Sequence, residues 1–230
     1  MPKYNSKSLK PRPRFTTPPG VLVFPCYIDA PDQEFGGFQG AIRLTGEPAA
    51  QFVETIDGIY DGWLKQLKAE NKGKKVKANR AFLPYFTNDT KPWADIGKVA
   101  QSYIDELQDG EVIVKARLNE AIQMGDGSER KLAPKIFDAS GQLMAGDLPL
   151  IGSGSKACFA GQVNAWFNAG KGAGLSLWME AVQLIELVEK GGVPKDAEGF
   201  GFESTDGFET EKVETFDEVA AGEDDNKGDF

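Results

Sequence analysis

The sequence predicts a mainly β protein: a small, partly open barrel of five to six antiparallel strands with one or two added helices. Three observations predict it. Apolar residues recur with a period of two in several short runs between residues 21 and 190, one strongly amphipathic helix interrupts them, and glycine turns and loops of unequal length separate them. With 40% apolar residues in 230, the chain can bury one sizeable core.

The elements follow in order. Residues 1–20, "MPKYNSKSLKPRPRFTTPPG", carry Lys3, Lys7, Lys10, Arg12 and Arg14 with no acid, and are rich in proline. They predict a basic flexible arm, extended or disordered. "VLVFPCYI" then reads as a first strand, with Pro25 marking an edge or a bulge. In "GGFQGAIRL" Phe38, Gly40, Ile42 and Leu44 alternate with Gln39, Ala41 and Arg43, a second, half-buried strand. From Pro48 to about Lys72 the period changes, and Phe52, Ile56, Ile59, Tyr60, Trp63, Leu64 and Leu67 form one helical stripe. Pro48 suits the first turn of that helix, and the stretch from Asn71 to Gly73 suits its end.

A basic loop, "NKGKKVKANR", precedes "AFLPYF", and a second helix is expected from Trp93 to Leu107. After Asp109 and Gly110 the period returns to two: Val112, Val114, Ala116 and Leu118 face one way, Ile113, Lys115, Arg117 and Asn119 the other. A polar loop around "GDGSERK" leads to the strand "APKIFDA" and a turn at Ser140 and Gly141. The stretch from Pro149 to Val188 reads as a glycine turn, a long strand, the hairpin turn "NAGKGAG" and a second long strand. Residues 21–190 are thus one domain, between the arm and a flexible acidic tail at 191–230.

Composition excludes several functions. There is no run of 18 apolar residues and no apolar leader in the first 20, so the chain is expected to be soluble, unexported and unconnected with a membrane. Cys26 and Cys158 lie in apolar stretches without a C-x-x-C pair, as reduced, buried thiols would. The absence of histidine removes the usual general base and most zinc sites. "GSGSK" lacks the spacing of a P-loop, because Lys156 is followed by Ala157 and a strand rather than by Ser or Thr and a helix. The cluster "GEDD" has no apolar framework to fix a coordination geometry. No enzyme, metal or cofactor is expected.

The net charge of −9 is unevenly distributed. Residues 196–230 hold 13 Asp and Glu against Lys212 and Lys227, a balance of −11, whereas residues 1–195 hold 24 basic and 22 acidic side chains, a balance of +2. The acidity is a tail on a mildly basic body.

The long hairpin carries the first candidates for binding chemistry. Odd positions from Ala157 to Phe167 are apolar or small, which puts Trp166 among polar residues on the even face. On the returning strand Leu175, Leu177 and Met179 take core parity, leaving Trp178 outside beside Ser176 and Glu180. For either ring alone a covering helix or loop would account for the position. Two on one face, near Lys171 of the turn and the polar-side Lys115 and Arg117, suggest a stacking platform, since aromatic rings stack on unpaired bases and cations neutralise phosphate. Lys77, Arg80 and Tyr85 of the basic loop, Arg43 of the second strand and Lys156 complete the candidate contacts. Phe82 and Phe86 are expected in the core.

The motifs "LPYF" followed by Thr87, Asn88 and Asp89, "DLPLIGSGSK" leading into a strand, "LSLWMEAVQLIELV" and the final "GDF" together resemble the single-stranded DNA-binding proteins of phages of the T-seven kind. The resemblance runs over most of the chain from Val21 onward. It implies an OB-fold barrel, sequence-nonspecific binding of single-stranded DNA in phage replication and recombination, and location in the cytoplasm of the infected host. It matches Trp166 to the family's DNA-contacting aromatic, and Lys115 and Arg117 to its basic strand positions. The chain departs from the family in the segment 91–107 and in having Arg117 where an aromatic is expected. The resemblance further implies that the acidic tail, with Glu223, Asp224, Asp225, Asp229 and Phe230, recruits the replicative DNA polymerase and the helicase-primase; it leaves dimer or monomer open. A tethered −11 tail is also expected to compete for a cationic groove. The alternatives are an OB-like module that binds protein and no nucleic acid and, behind it, an enzyme acting on phosphates.

Overall fold

The computed structural model describes residues 11–34, 36–89, 101–146 and 148–190, all within the unit Met1–Gly192. The arm residues 1–10, the first part of the second helix up to residue 100, and the tail 191–230 lie outside the described residues.

Ten strands are described: β1 (Arg14–Thr16), β2 (Gly20–Tyr27), β3 (Phe38–Leu44), β4 (Tyr85–Phe86), β5 (Val112–Leu118), β6 (Ala121–Gln123), β7 (Glu129–Lys131), β8 (Lys135–Phe137), β9 (Lys156–Asn168) and β10 (Gly172–Glu186). Helix α1 (Gly46–Glu70) joins β3 to a single 3-10 turn (Arg80–Phe82), and α2 (Gln101–Asp105) precedes β5. Five strands close a barrel in the order β2, β3, β5, β10, β9 and back to β2. β1 adds to the free edge of β9, β8 to β10 and β4 to β5, while β6 and β7 form a separate polar hairpin.

The expected all-antiparallel barrel is corrected at two contacts. β10 runs parallel to β5 and to β8, so the sheet is mixed. Each of these pairs joins strands far apart in sequence, and their relative direction is set by barrel closure instead of by a hairpin turn. β1 is a second difference: the end of the proline-rich arm is extended as a short edge strand, with Arg14 opposite Gln162, an arrangement that local composition does not signal.

The alternation read from the sequence is realised in the core. Leu22, Ile42, Leu44, Val112, Val114, Phe159, Val163, Leu175, Leu177 and Met179 point inward and are buried. Gly40 belongs to this inner set because a Cβ there would stand 2.6 Å from the Phe159 ring, which crosses the barrel at that level. The α1 stripe Phe52, Ile56, Tyr60, Trp63, Leu64 and Leu67 closes onto the same core. Asn71 ends the helix with its side-chain amide donating to the Leu67 carbonyl at 2.9 Å, and Gly73 turns the chain with φ +80°. In β2 the register shifts between Val23 and Cys26 around Pro25, the irregularity that proline predicts in a strand.

On one part of the sheet the outer face is buried too. Ile104 and Leu107 of the inserted segment pack with Phe86 over Val23, Ala41 and Ile113, forming a second apolar cluster. β3 and β5 are therefore covered on both faces at Ala41 and Ile113, which the half-buried pattern does not reveal. Cys26 is buried and Cys158 only half-buried, and both are free thiols. Burial pushes the Cys26 thiol up to about 11.

Candidate nucleic-acid interface

The outer face of the β9–β10 hairpin and its neighbour β5 carries the candidate site. Register places Trp166 opposite Gly174, Asn164 opposite Ser176 and Gln162 opposite Trp178 across the hairpin. Trp178 is in turn the neighbour of Arg117 on β5. All these side chains share the face away from the core, since a strand alternates and the intervening residues Val163, Leu175, Leu177 and Ala116 are buried.

Gly174 decides how Trp166 lies. A Cβ at position 174 would run into the Trp166 ring and stand 2.7 Å from Phe82 Cβ, so the absent side chain lets the indole cross the strand instead of standing up from it. Phe82 packs against the ring at the same point, with centroids 5.2 Å apart and planes inclined at 55°. Trp166, Phe82, Lys115, Arg117, Lys171 and Ser176 are among the residues lining an open groove of about 410 Å³.

The structure therefore gathers four of the sequence-selected residues, Lys115, Arg117, Trp166 and Lys171, round one groove. Trp178 adjoins it through Arg117. Lys77 stands exposed at the tip of the hairpin, where its carbonyl accepts from Ala173 N at 3.0 Å and the nearby Asn79 side chain donates to the Lys171 carbonyl at 3.1 Å.

The remaining candidates are engaged elsewhere. Arg80 pairs with Asp57 at 2.7 Å and Asp61 at 3.0 Å on α1, and Tyr85 donates to Asp57 at 2.8 Å. Burial, followed by the hydrogen bond to Asp57, raises the Tyr85 phenol well above its ordinary value, and the same carboxylate raises the Arg80 guanidinium. This cluster ties the basic loop to the helix. Arg43 lies 3.8 Å from Glu106 beside the inserted segment, and its Nε is buried without a hydrogen-bond partner among the described residues. Lys156 donates to Glu186 at 3.2 Å, ten residues along β9 from Trp166 and so roughly 33 Å away. Glu223, Asp224, Asp225, Asp229 and Phe230 lie outside the described residues.

Two residues of this face are not singled out by the sequence. Phe82, expected in the core, lines the groove and supports Trp166. Arg12 of the arm lies over the Trp178 ring, with Cζ 4.3 Å from its centroid. The abundance of cations in the arm was the one available signal, and it does not single out Arg12.

Among the described residues no group of three His, Cys, Asp or Glu is placed to hold a metal ion, and no helix is long and apolar enough to cross a membrane. The face offers flat rings and cations, which suit a stacked, anionic chain.

No protein-family model and no curated protein sequence matches the chain. Among solved structures, it is similar to gp2.5, a single-stranded DNA-binding protein encoded by bacteriophage T7, with a TM-score of 0.58 and 20% identity over 87% of this chain and 100% of that one. A weaker likeness is to the single-stranded DNA-binding protein of bacteriophage Enc34, solved alone (TM-score 0.46, 12% identity, 80% of this chain and 88% of that one) and in complex with single-stranded DNA (TM-score 0.44, 14% identity, 78% and 89%). The barrel with its added helix thus has the fold of the phage T7 single-stranded DNA-binding protein.

Proposed function

We propose that this protein binds single-stranded DNA without reading its sequence, along the outer face of β9, β10 and β5. The observation that carries this reading is the groove in which Trp166, laid across Gly174 and in contact with Phe82, meets Lys115, Arg117 and Lys171. Bases stack on the ring while the cations neutralise phosphates, and nothing in this arrangement distinguishes one base from another. The shared fold with a phage single-stranded DNA-binding protein supports the same function.

A titration with single- and double-stranded oligonucleotides tests it. Single strands quench tryptophan fluorescence, and log K against log salt falls with a slope of about −2, three cations each contributing near −0.7. A salt-independent affinity, or a titration with no quench, removes the proposal and favours an OB-like module that binds protein.

The acidic tail is proposed to compete for the same cations from within the chain. Its balance of −11 in residues 196–230 makes it an anionic competitor, and being part of the same chain gives it a high effective concentration. Truncation from Gly222 onward tightens oligonucleotide binding, most at low salt; unchanged or weaker binding counts against competition. DNA that displaces the tail frees Glu223, Asp224, Asp225, Asp229 and Phe230 for other proteins. In this reading those are a replicative DNA polymerase and a helicase-primase, in phage replication and recombination in the cytoplasm of the infected host. The protein itself is no enzyme.

A further inference from the structure

The Trp178 ring is not bare. Arg12 covers it at 4.3 Å, and the local backbone holds Arg12 there. β1 pairs with β9 from Arg14 to Thr16, and just before it the Pro13 carbonyl accepts from Val163 N at 2.8 Å. Arg14 binds Glu180 at 2.8 Å, and Gln162 donates to the same carboxylate at 2.6 Å. The acid nearest Trp178 along β10 is thereby already paired, and Arg12 forms no ion pair among the described residues. On the other side of Trp178 stands Arg117, its register neighbour.

Resting on the DNA-binding function proposed above, we propose that Arg12 and Trp178 form a second base-stacking subsite, in which the guanidinium, laid on the indole, is the surface that receives the base. A guanidinium is planar and weakly hydrated, so both faces stack, and its N–H groups radiate in the plane, where they reach the flanking phosphates. The indole holds it in place by cation–π attraction. Trp178 is four residues along β10 from the partner of Trp166, so the two subsites are roughly 13 Å apart, about four nucleotide rises of a stacked strand and fewer of a stretched one. A single strand can therefore occupy both, with Lys115 and Arg117 beside the path between them.

The test uses the full chain and an oligothymidylate. Arg12→Ala, Arg12→Lys, Trp178→Phe and the double variant Arg12→Ala/Trp178→Phe are titrated at low and moderate salt, with anisotropy of a labelled oligonucleotide as the readout. Arg12→Ala binds at least about 5-fold more weakly. Arg12→Lys keeps the charge and loses the plane, so it stays on the weak side when salt screens the charge. The double variant loses less than the product of the single losses, because each partner works through the other.

If Arg12→Ala binds as tightly as the parent protein or more tightly, Arg12 is a bystander or a cover that DNA must lift, and the subsite is wrong. Full rescue by Arg12→Lys reduces Arg12 to a charge and also overturns it. Failure of the parent chain to bind the oligonucleotide removes the DNA-binding function itself. That outcome is distinct from an intact parent affinity with an indifferent Arg12.

Discussion

Trp166→Ala weakens binding of a single-stranded oligonucleotide by about 5- to 150-fold and leaves the melting temperature nearly unchanged. The indole is the largest flat surface in the groove, lying across Gly174 with Phe82 packed against it. One base stacked on such a ring contributes about 1–3 kcal/mol, the range that sets the expected loss. The salt slope of the variant stays close to that of the parent, since Lys115, Arg117 and Lys171 remain. Anisotropy titrations at several salt concentrations, with thermal denaturation of the same samples, check both parts. An affinity unchanged within twofold would show that the groove is not the path of the strand. A collapse of stability would make Trp166 a packing residue after all.

Trp63→Ala has the opposite signature. Trp63 is 2% exposed on the inner stripe of α1, packed into the core that the helix shares with the barrel. Removing a buried indole costs about 3–5 kcal/mol through lost transfer energy and the cavity left behind. For a domain of this size the midpoint falls by about 6–20 °C. At temperatures where the variant is still folded, its affinity for DNA matches that of the parent. Calorimetry and the same oligonucleotide titration separate the two effects. Two alanine substitutions of one residue type thus assign one tryptophan to the fold and the other to the interface.

The long-range order of elements was legible in the sequence because it rests on local rules. Parity alone set Trp166 and Trp178 on the outer face of a hairpin, since Val163, Leu175, Leu177 and Met179 had to face the core. A 3.6-residue period placed Trp63 inside, and its match to the observed stripe is close. Arg80 and Tyr85 were not resolvable in the same way. Their chemistry suits phosphate and base, yet Asp57 and Asp61 of a helix 19 to 28 residues earlier claim them. Arg43 is a similar case: the strand pattern exposes it, and the inserted segment then brings Glu106 to it.

What the sequence determined by itself is thus the class of the protein: period-two strands about one helix, a basic body with an acidic tail, and two rings on the wet side of a hairpin. Each follows from neighbours along the chain, through backbone alternation, helical periodicity and summed charge. Tertiary structure decided which cations share a groove, that Phe82 supports Trp166, and that Arg12 reaches Trp178 by strand addition. It also made β5 and β10 parallel neighbours, setting Arg117 beside Trp178. Those pairings join residues some 60 to 170 positions apart. Closure of the barrel and burial of its apolar faces select them, and no local pattern encodes which distant strand will arrive alongside.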